Sequence, residues 1–288
     1  MELSNTLKKH YPFEGKTIDL NGHKYHYLDE GTGPVIVMVH GNPTWSFYYR
    51  NLILGLRDKF RVIVPDHMGC GLSDKPQDYD YTLERRISDL NQLLSNLNIE
   101  DYNMVVHDWG GAIGFGNVVS NGLDKLNKVV ILNTAAFVSK SIPPSINFLR
   151  NKLWGPFAIR ALNGFCFPAT FMCTEKKLEQ EIKQAYLYPY NSYENRIAVS
   201  EFVQDIPMEK NHRSFDTLKN IEEKLKLIKA EKLILWGGKD FCFNDHFYYR
   251  WKSLFPEAKY KYFENAGHYV LEDKAEECLK EIRSFMLG

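Results

Sequence analysis

Val105-Val106-His107-Asp108-Trp109-Gly110-Gly111 is a short apolar run that ends on a polar residue and passes at once into a glycine-flanked helix start. A strand that turns so sharply into a helix lifts one side chain above its C-terminal edge, and small residues beside it let the backbone turn without a clash. Working outward, Val35 to Val39, Arg61 to Val64, Asn103 to Val106 and Val129 to Leu132 are apolar runs bounded by turn residues, as strands buried on both faces should be. Between them Leu83, Ile87, Leu90, Leu94 and Leu97 recur at helical spacing, with Thr82 placed as the N-cap. Lys232 to Trp236 and Lys259 to Phe263 continue the strand rhythm, and a closing helix carries Ala275, Cys278, Leu279, Ile282 and Phe285. Strands alternating with amphipathic helices predict an α/β fold built on a parallel sheet.

The rhythm breaks from about Val138 to about Glu222, a helix-rich, aromatic-rich segment punctuated by prolines 143, 144, 156, 168, 189 and 207. At about 85 residues it far exceeds an ordinary connection, so we expect a helical cap at 138–222 inserted between core segments 1–137 and 223–288. Hydrophobic residues make up 44% of the 288, enough to bury a sizeable core. Lysine plus arginine and aspartate plus glutamate each total 36, so no overall charge excess draws the chain to nucleic acid or to an anionic membrane; peripheral membrane contact stays open, and its partner is expected to be uncharged or small. The five cysteines have neither disulfide-framework nor zinc-ligand spacing, which suits a reducing, cytoplasmic setting. Met1 to Gly15 is polar, without a signal core, and no apolar run is long enough to form a transmembrane segment.

The corner at Asp108 is a nucleophile elbow. In its G-x-S-x-G form the lifted residue is serine; here Val106 stands at the first glycine and Asp108 at the serine. A carboxylate near neutral pH is already ionised and can displace a leaving group from an sp3 carbon, so Asp108 suits alkyl transfer. The helix N-terminus should favour its charge. Read alone, Asp108 could be a plain helix cap; two loops argue otherwise. Gly237-Gly238-Lys239-Asp240 and Asn265-Ala266-Gly267-His268 follow the last two strands, giving the chain order nucleophile, acid, histidine, with all three above one sheet edge. His268 is the expected base and Asp240 its orienter. The loop His40-Gly41-Asn42-Pro43 brings Asn42 to the same edge, where its amide, with the indole N–H of Trp109, would stabilise charge on a leaving group. His40 and His107 are expected to make local hydrogen bonds, and Pro65 to Asp74 to shape a loop beside the site. Apolar residues between Phe148 and Met172, among them Trp154, Phe157, Phe165 and Phe171, either line an access channel or form the core of the cap. No ligand cluster or phosphate-cradling loop implies a metal or organic cofactor.

His40-Gly41-Asn42-Pro43-Thr44, Val106 to Gly110 and Asn265 to His268 resemble the haloalkane dehalogenase group of α/β-hydrolases over nearly the whole chain. One branch of that group carries its acid where this chain has Asn133-Thr134, so the resemblance leaves Asp240 as the acid. Trp45 to Arg50, Gly69 to Pro76, Phe202 to Pro207 and Trp236 to His246 look like the β-lactone decarboxylases of bacterial olefin biosynthesis. The resemblance implies an α/β-hydrolase fold with a mostly parallel eight-stranded sheet, no cofactor, a long-chain hydrophobic substrate and assembly with other olefin-pathway enzymes. A cis-3,4-dialkyl-β-lactone would become a cis-alkene and carbon dioxide. The alternatives are a haloalkane dehalogenase, an epoxide hydrolase using cap tyrosines Tyr186, Tyr188, Tyr190 and Tyr193 as acids, and a silent binding module that keeps the fold.

Overall fold

The computed structural model describes residues 5–288, of which Asn5–His10 form α1. Its sheet has eight strands: β1 (Lys16–Leu20), β2 (His23–Glu30), β3 (Val35–Val39), β4 (Arg61–Pro65), β5 (Tyr102–Asp108), β6 (Leu126–Thr134), β7 (Glu231–Gly237) and β8 (Lys259–Phe263). Their order is β1-β2-β4-β3-β5-β6-β7-β8. All six strands read from the apolar runs are present and parallel to their neighbours, from β4 to β8. The runs left β1 and β2 unread. These form an antiparallel hairpin whose β2 pairs antiparallel with β4, closed at Asn21-Gly22 with φ of 56° and 84°.

Strand alternation sorts the core into two layers. Ile36, Met38, Val105, Val130 and Leu132 pack on one face, with α2 (Arg50–Leu56), while Val37, Val39, Met104, Val106 and Ile131 pack on the other, with α3 (Leu83–Asn96) and α4 (Trp109–Asn121). Thr82 caps α3 as its sequence suggests, accepting the Arg85 N–H at 3.2 Å. Since β3 connects to β4 on one side and pairs with β5 on the other, the chain reverses direction across the sheet between β3 and β5. Loops leaving the C-terminal ends of two such strands diverge and open a crevice.

Between β6 and β7 lie α5 (Pro144–Leu149), α6 (Gly155–Arg160), α7 (Cys166–Met172), α8 (Gln180–Leu187), α9 (Ile197–Gln204) and α10 (Phe215–Lys224). The boundary expected at 222 falls inside α10, whose Leu218 and Ile221 already belong to the sheet's core layer. The chain ends with α11 (Asp245–Leu254), α12 (Val270–Asp273) and α13 (Ala275–Leu287). Among the described residues, no helix is long and apolar enough to cross a membrane.

Candidate active site

Asp108 sits at the last position of β5 with φ 52° and ψ −128°, a left-handed backbone that a residue with a side chain rarely adopts. The surroundings enforce it. A Cβ on Gly110 would lie 1.9 Å from the Val39 carbonyl oxygen and one on Gly41 2.0 Å from Asp108 Oδ1, so both positions exclude any side chain. The tight approach brings the Asn42 N–H within 2.5 Å of Asp108 Oδ1. His268 Nε2 stands 3.7 Å from Asp108 Oδ2, and His268 Nδ1 donates to Asp240 Oδ2 at 2.7 Å. Residues 108, 240 and 268 therefore come together above one sheet edge, in the arrangement read from the sequence.

Burial raises the Asp108 pKa above the ordinary carboxylate value; His268 and the N–H groups of Asn42 and Trp109 pull the other way without cancelling it. The helix terminus favours the charged form through the Trp109 N–H, as expected, but desolvation outweighs it. For His268 burial favours the neutral ring, but the adjacent Asp240 and then Asp108 outweigh it and the pKa rises.

Several supporting residues were not read from the sequence. Asn133, at the end of β6 with φ 30°, donates to Asp240 Oδ2 at 3.0 Å and accepts the Gly237 N–H at 2.8 Å. Asp240 Oδ1 also accepts the N–H groups of Cys242 and Phe243, at 2.7 and 3.0 Å. His107 does not act locally as expected. Its Nε2 reaches the His268 carbonyl at 2.9 Å and its ring packs 4.5 Å from that imidazole. Asp273 Oδ2 accepts the Gly267 N–H at 2.7 Å and fixes the histidine loop from behind. The signal for Asn133 was its place at a strand C-terminus; His107 and Asp273 carried none beyond adjacency. His40 keeps to its neighbourhood, bonding Gly41 and the His67 N–H. The 65–74 loop lies one layer behind the site, and none of its residues reaches the cavity wall.

That cavity, about 340 Å³, lies over Asp108 and His268, with Asn42 and Trp109 on its wall. The rest of the wall is mainly apolar, with Ile146, Leu149, Phe165, Val203, Leu218 and Phe243 contributing. The Asn42 amide gives one hydrogen bond to the Val199 carbonyl of α9 at 3.2 Å, which leaves a second N–H for a bound group. Two sequence readings are corrected. Of the apolar run in α5 to α7, Phe165 and Met172 meet the cavity, whereas Trp154, Phe157 and Phe171 are more than half exposed on the outer surface and form neither channel nor core. No tyrosine lies on the cavity wall among the described residues. Tyr190 bonds the Thr44 carbonyl and Tyr186 bonds Glu272, which removes the acid donors that an epoxide hydrolase would need there.

A parallel sheet with a left-handed aspartate corner, a histidine loop and an acid loop at one edge defines an α/β-hydrolase. The chain belongs to the alpha/beta hydrolase fold family, which matches residues 34–275. It is similar to cis-3-alkyl-4-alkyloxetan-2-one decarboxylases, 44% identical to that of Shewanella oneidensis (96% of this chain, 89% of the relative) and 40% identical to that of Xanthomonas campestris (96% and 97%). Haloalkane dehalogenase 2 of Mycobacterium tuberculosis is 30% identical over 91% of both chains. The crystal structure of haloalkane dehalogenase DbeA from Bradyrhizobium elkani superposes with a TM-score of 0.89 at 20% identity, covering 96% of this chain and 98% of that one.

Proposed function

We propose that the protein is a cytoplasmic decarboxylase of cis-3,4-dialkyl-β-lactones. The observation that carries this reading is the 44% and 40% identity to two relatives named as such decarboxylases, against 30% to a dehalogenase, over nearly the full length in each case. In this reading the 138–222 insertion is a cap that closes an apolar chamber over Asp108, and the substrate is a small hydrophobic molecule whose alkyl chains lie among Leu149, Phe165 and Val203.

Asp108 attacks the sp3 ring carbon bonded to the ring oxygen, not the carbonyl carbon. The carbon–oxygen bond breaks and its electron pair passes to the oxygen, leaving an aspartyl ester beside a free carboxylate. Loss of carbon dioxide then returns the pair of the broken carbon–carbon bond to form the alkene and expel Asp108 as carboxylate. Atoms and charge balance without water or cofactor. The spare N–H of Asn42 and the indole N–H of Trp109 steady the charge on the departing oxygen, a task worth about 3–4 kcal/mol when one such donor is removed. His268, held by Asp240, supports the anionic site rather than activating water, and the 3.7 Å gap to Asp108 suits an electrostatic partner.

A second reading, haloalkane dehalogenase, draws on the same Asp108–His268–Asp240 constellation, with Asn42 and Trp109 holding the halide and His268 activating water. Incubation with a cis-β-lactone bearing two alkyl chains and, separately, with 1,2-dibromoethane decides between them. Alkene by gas chromatography with little bromide is the expected result; steady bromide without alkene would overturn the proposal. Assembly with enzymes that make the lactone is part of the same proposal, testable by co-purification.

A further inference from the structure

Eight of the thirteen exposed large apolar side chains among the described residues fall within 148–172. Phe148, Leu153, Trp154, Phe157, Leu162 and Phe171 are each more than half exposed, Leu153 at 82%. Isolated surface apolar residues need no explanation, but eight large ones exposed within a single stretch of short helices mark a surface that meets something apolar. The charge of this segment is equally uneven. From Lys125 to Thr174 the sequence holds six basic residues (Lys125, Lys128, Lys140, Arg150, Lys152, Arg160) and no acidic one, in a chain whose total charge is zero. Arg150 is neutralised by Glu209 at 2.9 Å, while Lys140 and Lys152 are exposed with no carboxylate partner among the described residues.

We infer that the outer face of α5 to α7 docks on an anionic phospholipid bilayer. Apolar side chains enter the acyl boundary while Lys140 and Lys152 sit among the headgroups, the division of labour of an interfacial helix surface. Two of these helices, α5 and α7, also wall the cavity through Ile146, Leu149, Pro168 and Ala169, and Met172 belongs to both surfaces, at once on the cavity wall and 46% exposed. One helix thickness thus separates membrane from reaction chamber, so a long-chain substrate dissolved in the bilayer passes into the cavity past Met172. This last step rests on the long-chain reading above; the docking does not.

The test is sedimentation of the full chain with vesicles of phosphatidylglycerol and phosphatidylethanolamine in equal parts, against vesicles of phosphatidylcholine alone. Binding should favour the anionic vesicles by roughly tenfold and weaken as salt rises. Two variants separate the contributions. Leu153→Ser/Trp154→Ser/Phe157→Ser should lose binding by about a hundredfold, and Lys140→Glu/Lys152→Glu by about tenfold, each with an unchanged circular dichroism spectrum. Tryptophan emission should shift to the blue on binding in wild type and not in Trp154→Phe, a readout that needs no destabilising change. Absence of sedimentation, equal binding by the serine variant, or a wild-type dimer that the serine variant dissolves would each overturn the inference, the last by showing a second copy on this face. With a vesicle-borne lactone the serine variant should turn over more slowly, and with a short water-soluble lactone at the wild-type rate. If neither lactone reacts, the functional reading fails while vesicle binding still decides the docking.

Discussion

Two buried aspartates at the C-terminal ends of strands on either side of β3 are held in opposite ways. Asp66, just past β4, accepts the Ser46 N–H at 2.7 Å on Oδ1, and the Leu72 N–H at 2.9 Å and the His26 ring N–H at 2.8 Å on Oδ2. Burial alone would raise its pKa, but these partners and the nearby His40 bring it down to about 2. Asp108, ending β5, has the Asn42 and Trp109 N–H groups, a histidine 3.7 Å away and a left-handed backbone, and its pKa is raised. Two carboxylates of one chemical type, both buried, thus differ in whether their lone pairs are satisfied. The saturated one braces the sheet edge. The other is kept strained and short of partners above a cavity, which is the condition of a group that has still to form a bond.

The comparison breaks if Asp108 proves dispensable. Asp108→Asn should lower turnover of lactone and haloalkane alike by roughly 10⁴-fold or more, as expected when a covalent nucleophile is removed. Stability should move the other way. A carboxyl whose folded pKa is raised costs folding energy in its charged form, so at neutral pH the melting temperature of Asp108→Asn should equal or exceed that of wild type. The gap should close as pH falls through the raised value of Asp108. A variant that keeps turnover, or that melts well below wild type, would assign Asp108 to the same bracing role as Asp66.

Asp66→Asn is the mirror experiment. Removing a charge held by a histidine and two N–H groups should destabilise the fold by about 2–4 kcal/mol, read from urea unfolding, while the protein that remains folded works at near the wild-type rate. Because the folded pKa of Asp66 is depressed, its contribution is complete above the unfolded value of about 4 and is lost as pH falls through about 2. The two unfolding curves should converge over that interval.

How much of this was legible in the sequence follows from the reach of each signal. The central strands could be read because both faces are buried and the run is apolar throughout, as in β5, where every residue from Tyr102 to Asp108 is inside. The hairpin of β1 and β2 was missed although Asn21-Gly22 is a strong turn signal, because Lys16, Thr17 and Asp19 face solvent and dilute the alternation. The catalytic constellation could be read because strand ends converge whatever the packing between them. Asn133 lies at such an end but reads as a turn residue; only the fold brings it to Asp240. The apolar run of 148–172 misled for a physical reason: hydrophobicity says that a residue avoids water, not whether it does so inside the protein or against another surface.

Asn133 also sharpens the comparison, since it supplies Asp240 with the saturation that Asp108 lacks. Asn133→Ala removes one donor to Asp240 and two links to Gly237, and should cost about tenfold in kcat with KM nearly unchanged. The pH profile should move with it. A carboxylate that loses a donor holds the neighbouring imidazolium more strongly, so the His268 pKa, already raised, should rise further. A purely structural role for Asn133 would lower the amount of folded protein without displacing the profile.

The smallest effect is the most diagnostic, because the raised pKa values of Asp108 and His268 predict different profiles for the two reactions. Dehalogenation needs both an ionised Asp108 and a neutral His268 to activate water, so steady-state halide release should rise with pH until His268 has lost its proton, above the ordinary histidine value. Decarboxylation consumes no water and needs only the ionised carboxylate. Its rate should rise earlier, as pH passes the raised value of Asp108, and should already be level where halide release is still climbing. Since the two groups lie 3.7 Å apart, each limb reports the coupled pair rather than either residue alone. Loss of the carboxylate behind His268 separates them: in Asp240→Asn the support for a positive His268 is weakened, so the halide limb should shift toward lower pH. The lactone limb should move much less, because losing the Asp240 charge, which raises the Asp108 pKa, offsets the weaker positive charge on His268. Parallel displacement of both limbs would mean that one proton governs both reactions, and that His268 acts as a base in decarboxylation as well.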